Sequence, residues 1–61
     1  MSYYVEIHYK DKTKHCWSVE NHEIRDGFLK VWWVEDGEII KETWVNKSKI
    51  NEVKIEYKED E

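Results

Sequence analysis

Alanine and proline are missing from this 61-residue chain, leucine occurs once, at Leu29, and cysteine once, at Cys16. A lone cysteine excludes an internal disulfide. The longest apolar run, Val31-Trp32-Trp33-Val34, falls far short of the roughly 20 residues that cross a membrane as a helix. No apolar signal-peptide core follows the N-terminus, so the expectation is a soluble, cytoplasmic protein without membrane contact. Also absent are the clustered lysines and arginines with which a nucleic-acid binder displaces counterions; 10 basic against 14 acidic residues leave a net charge of −4. Residues 1–58 hold 10 basic and 11 acidic groups and form one nearly neutral small β domain, followed by an acidic tail, Glu59-Asp60-Glu61, at 59–61. A chain this short buries only about 60% of the surface its unfolded form exposes. It therefore needs dense aromatic packing or a partner subunit.

The apolar residues that are there are strand formers: six Val, six Ile, four Trp, four Tyr and one Phe. β-Branched and aromatic side chains lose rotamer freedom in a helix and pack well on a pleated, half-buried sheet. Their spacing agrees. Over Tyr3 to Lys10 the residues Tyr3, Val5, Ile7 and Tyr9 alternate with Tyr4, Glu6, His8 and Lys10, and over Lys14 to Glu20 the pair Trp17 and Val19 alternates with Cys16 and Ser18. A three-residue loop at Asp11-Lys12-Thr13 joins the two strands so that Val5 faces Val19, Ile7 faces Trp17 and Tyr9 faces His15. A two-residue loop would turn Trp17 to the polar face, so parity selects the longer one.

Asn21 to Gly27 reads as a connection, with Ile24 as an apolar anchor and Asp26-Gly27 as a turn. Phe28–Glu35 and Glu38–Asn46 form a hairpin around Asp36-Gly37, the strongest short-range hairpin signal. With a two-residue turn Val34 pairs with Ile39, Trp33 with Ile40, Trp32 with Lys41, Val31 with Glu42 and Leu29 with Trp44; a three-residue loop would shift the parity, and both registers stay open. Asn46 to Lys49 suits a single 3₁₀ turn. A last strand over Glu52 to Lys58 places Val53, Ile55 and Tyr57 inward. The fold class is all-β, a five-stranded antiparallel small barrel or strongly twisted sheet. This succession of strand lengths and the polar turn before the closing strand resemble the SH3-like small barrels, which include Tudor, chromo-type and Sm-like domains. The chain lacks the acidic loop and proline-contacting aromatics of peptide-binding SH3 domains, so the resemblance implies no proline-rich ligand.

Little here is built for chemistry. In the three-residue-loop register His8 lies opposite Cys16, two potential zinc ligands, while His15 faces the other way and His22 sits in the connection; a structural zinc normally takes four ligands at shorter spacings, so no metal and no cofactor are expected. Cys16 lacks an adjacent base other than His8, and Glu35 and Glu38 flank a solvated turn, so no catalytic residue is assigned and the protein reads as a non-enzyme. The unusual feature is aromatic. In the two-residue register Phe28, Trp32, Val34, Ile39 and Val45 share one face of the central hairpin while Leu29, Val31, Trp33, Ile40 and Trp44 share the other, and a small barrel hides only one of them.

The candidate interface is Phe28, Trp32, Val34, Ile39, Lys41 and Trp44, with Trp32 as anchor and Lys30 and Lys41 as its rim. This favours a protein-binding or inhibitor module that works as a homo-oligomer or through a free strand edge. The alternative is a small-ligand, nucleotide or single-stranded nucleic-acid binder, with Trp32 or Trp44 stacking on a base and Lys30, Lys41 or Arg25 meeting phosphate. A third possibility is an adaptor that accepts a peptide as an extra strand. Size, acidity and aromatic content together resemble the small host-inhibitor and anti-defence proteins of bacteriophages, a likeness that assigns no residue a role.

Overall fold

The period-two patterns become antiparallel strands in a computed structural model that describes residues 2–59. In chain order these are β1 (Ser2–Tyr9), β2 (Lys14–Val19), β3 (Asn21–Arg25), β4 (Phe28–Glu35), β5 (Glu38–Asn46), a 3₁₀ turn over Lys47–Lys49, and β6 (Ile50–Lys58). They form two three-stranded sheets, ordered β2-β1-β6 and β3-β4-β5. The sheets pack face to face without closing into a barrel. A shortest dimension of 16 Å leaves room for just two layers, which sit about 10 Å apart in such packings. Asp60 and Glu61, most of the expected acidic tail, lie outside the described residues.

The expected faces hold, while the register of the first hairpin moves by two residues. Val5 pairs with Trp17, Ile7 with His15 and Tyr3 with Val19. The loop is three residues long, as parity demanded, but it comprises Lys10-Asp11-Lys12 and not Asp11-Lys12-Thr13. Its geometry explains the choice: Lys12 N–H donates to Tyr9 O at 3.0 Å, Tyr9 N–H donates to Thr13 O at 2.9 Å, and Lys12 takes φ 72°. This is a type I turn followed by a left-handed residue. Asp11 Oδ1 locks it by accepting from Thr13 N–H and from the Thr13 hydroxyl.

Six strands replace the expected five because the Asn21–Gly27 connection is itself a strand. Residues Asn21–Arg25 pair with β4, matching Ile24 to Leu29 and Arg25 to Phe28 around Asp26-Gly27. Both turn residues have positive φ, 48° and 81°, as do Asp36 and Gly37 at 52° and 79°. The chain thus uses the same Asp-Gly turn, with left-handed geometry at both positions, for two successive hairpins. Only Glu20 separates β2 from β3, and its N–H donates to Trp32 O at 3.0 Å. One continuous stretch therefore passes from the first sheet into the second.

The core is aliphatic. Val5, Ile7, Val19, Leu29, Val31 and Val45 are buried, and Tyr3, Tyr9, Trp17, Trp33, Ile50 and Val53 close around them half-exposed. The inward positions of β6 fade toward its end, where Ile55 and Tyr57 are exposed. Trp17 and Trp33 seal the margin: their rings meet edge-on at 6.3 Å, and Trp33 Nε1–H donates to Ser18 O at 2.8 Å.

Candidate functional site

The Asp36-Gly37 turn is a two-residue turn, with Glu35 opposite Glu38 and Val34 opposite Ile39. The ladder then slips. Trp33 pairs with Lys41, which leaves Ile40 as the extra residue of a β-bulge. A bulge advances every later residue of its strand by one and so exchanges the faces of that strand. Trp32 consequently pairs with Glu42, Lys30 with Trp44, and Leu29 with Val45. Two expectations are corrected by that slip. Val45, placed with Phe28 and Trp32 by the uninterrupted register, is in the core. Trp44, placed with Leu29 and Val31, stands on the outer face.

The outer face of the β3-β4-β5 sheet therefore gathers Phe28, Lys30, Trp32, Glu42 and Trp44. Lys30 Nζ lies 5.1 Å from the Trp32 ring centre and 5.2 Å from that of Trp44, a cation held between two indoles. Glu42 supports it from across the strand, 3.4 Å from Lys30 Nζ through one oxygen and 3.4 Å from Trp44 Nε1 through the other. Phe28 meets Trp44 edge-on at 6.0 Å. Alternation puts Val34 on the same side as Trp32, and Ile39 is opposite it at the hairpin tip. Trp44 remains 51% exposed, Ile39 52% and Phe28 37%.

Of the six residues expected at an interface, Phe28, Trp32, Val34, Ile39 and Trp44 are thus brought together, and Lys41 is not. The bulge moves Lys41 opposite Trp33, where its Nζ sits 4.7 Å from that ring's centre. Lys30, expected at the rim, lies at the centre of the cluster, and Glu42, which the expected set omitted, completes it as the counter-charge. A cross-strand pairing of Lys30 with Trp44 was the signal, hidden by the bulge.

The other outer face is polar. Glu6, not His8, lies opposite Cys16, a consequence of the shifted loop. Cys16 Sγ is 3.8 Å from Glu6 Oε1, and His8 Nε2 is 2.5 Å from Glu6 Oε2. The hydrogen bond with His8 holds the Glu6 carboxyl below its ordinary range, and a hydrogen bond with Cys16 pushes the Tyr4 hydroxyl up. Among the described residues no three His, Cys, Asp or Glu side chains converge to hold a metal. No described helix is long and apolar enough to cross a membrane.

No family model, curated protein or solved structure matches this chain.

Proposed function

We propose that the protein is a non-enzymatic binding module that uses the outer face of the β3-β4-β5 sheet to hold another protein surface, in the first instance a second copy of itself. The observation that carries this reading is the exposure of Trp44, Phe28 and Ile39 on one sheet face, around an ion pair that is already satisfied. Aromatic anchors flanked by polar groups are the usual make-up of a binding hot spot. Lys30 and Glu42 neutralise each other there, so burial of the face would strand neither charge. A module of this size acts by covering its partner's surface, which fits an inhibitor, and it would do so inside the cell. The free edges of β5 and β6 extend the contact surface. The order of strands, with β2 running through Glu20 into β3 and a 3₁₀ turn before β6, supports assignment to an open variant of the SH3-like barrel.

Base stacking on Trp32 or Trp44 at this face is the weaker alternative. The ammonium that would meet phosphate, Lys30, is enclosed by the two rings and paired with Glu42. Light scattering on the eluting wild type should report a dimer or larger species, and Trp32→Glu or Trp44→Glu should give a monomer with unchanged β-type circular dichroism. A wild type that stays monomeric at about 100 μM, well above the Kd of a specific dimer, refutes self-association. Loss of the β signal in both variants would identify these rings as structural.

A further inference from the structure

A cavity borders the aromatic face. Residues of β1 and β2, the start of β4 and the end of β5 line a cavity of about 400 Å³, within the range of small-molecule sites. Its walls include Tyr9, His15 and Trp17 from one sheet and Phe28 and Trp44 from the other, with Lys49 at the mouth. The ring of His15 lies 5.4 Å from that of Trp17 with a tilt of 34°, and Tyr9 Oη is hydrogen-bonded to His15 Nδ1 at 3.1 Å. No carboxylate among the described residues lines this cavity. A second cavity of about 340 Å³ adjoins it, shares Tyr9 and Lys49, and adds Lys10, Asp11 and Ser48. Lys10 backbone N–H donates to Lys49 O at 2.9 Å, which joins the two segments that carry these lysines. Asp11, the one acid there among the described residues, is engaged by both donors of Thr13, which hold its carboxyl below the ordinary range.

From this arrangement, which shares Phe28 and Trp44 with the outer sheet face but is not lined by Trp32 or Lys30, we infer that the paired cavities form a binding site for a free nucleoside monophosphate: the base enters between the aromatic walls and the phosphate meets Lys49 and Lys10. Each part of the ligand is matched by residues lining the two cavities. Flat rings on both sides of a slot accept a planar heterocycle regardless of its edge pattern. Two lysines lining one cavity favour an anion and disfavour the organic cations that aromatic pockets otherwise attract. Asn46 Oδ1 is occupied by Ser48 N–H, which leaves the Asn46 amide N–H₂ at the cavity wall as a donor to a base edge. A polynucleotide is disfavoured, because a chain of net charge −4 lacks the basic track that follows successive phosphates.

The test is an amide and indole NMR titration of the intact protein with adenosine 5′-monophosphate, adenosine, inorganic phosphate and a short oligothymidylate. Saturable shifts at Tyr9, His15, Trp17 and Lys49 are expected with a Kd at or below about 1 mM, while adenosine and inorganic phosphate each bind at least about tenfold more weakly. Lys49→Glu should weaken the monophosphate about tenfold, the loss of one charge-assisted contact. His15→Ala should weaken it too, and this exposed position provides the reading should Lys49→Glu disturb the 3₁₀ turn. The inference is overturned if no shift saturates by about 10 mM, if the shifts map to Trp32 and Lys30, if both groove variants bind like wild type, or if the oligothymidylate outcompetes the monophosphate.

Discussion

Trp33 is where the two sheets are held at their margin, and its replacement tests the packing described above. The side chain makes three contacts that can be weighed separately: Nε1–H to Ser18 O at 2.8 Å, the edge-on contact with Trp17 at 6.3 Å, and Lys41 Nζ at 4.7 Å from its centre. Trp33→Phe removes the hydrogen bond, about 0.5–1.5 kcal/mol. It also shrinks the ring that faces Trp17 and Lys41, for about another 0.5–1 kcal/mol. The expected loss is about 1–2.5 kcal/mol. For 61 residues the total stability is on the order of 3–9 kcal/mol, so the variant folds but is visibly weakened. Urea unfolding followed by far-ultraviolet circular dichroism should show a midpoint lowered by about 1–2.5 M at a slope near 1 kcal/mol/M.

A double-mutant cycle with Trp17→Phe isolates the ring contact and should return a coupling of about 0.5–1 kcal/mol. Two results would overturn this role for Trp33. A loss below about 0.5 kcal/mol would mean that the Ser18 bond is exchanged freely for water, and strict additivity in the cycle would mean that the two indoles do not act together across the sheets.

Lys12 has φ 72° in the first turn, so Lys12→Gly relieves a left-handed side chain and should raise stability by about 0.5–1 kcal/mol in the same urea assay; an unchanged or lower midpoint would contradict the turn geometry. Glu6 has a carboxyl depressed by His8. Its contribution is present above the unfolded carboxylate range and is lost as the pH falls through the lower folded value. His8→Ala should raise the Glu6 titration midpoint seen by carbon-detected NMR, and an unmoved midpoint would show that the pair is not formed in solution. Melting curves with and without a strong chelator should superimpose, since no three ligands converge among the described residues; a drop of many degrees would show a missed metal.

Much of this architecture can be read from residue types alone. Parity assigned Val5, Ile7, Trp17 and Val19 to one face, and that face is the inner one. Parity is blind to a shift of two, however, because such a shift preserves every face. Only the turn decides it, through a left-handed residue at Lys12 where a glycine would have announced the position. β3 was illegible for a related reason. Asn-His-Glu-Ile-Arg offers one aliphatic residue, and Ile24 remains 60% exposed, so hydrophobic alternation has nothing to report. The signal lay in the second Asp-Gly pair, at Asp26-Gly27, which marks a hairpin as plainly as Asp36-Gly37 does.

The outer-face cluster was legible in kind and misassigned in detail, and the cause is a single residue. Without the bulge at Ile40, Val45 would face solvent and Trp44 would have to enter the layer that now holds Leu29 and Val31. Those two neighbours are fully buried, in a molecule only 16 Å across its shortest axis, and an indole is far larger than the valine that fits there. Core volume therefore selects the bulged register after the Asp-Gly turn has selected its own pairing at the tip. The two demands differ by one residue, and Ile40, 61% exposed at the margin, absorbs the difference. Packing inside the sheet pair thus decides what stands outside it: by admitting Val45 and rejecting Trp44, the core brings an indole to Lys30 and creates the aromatic face to which binding is assigned.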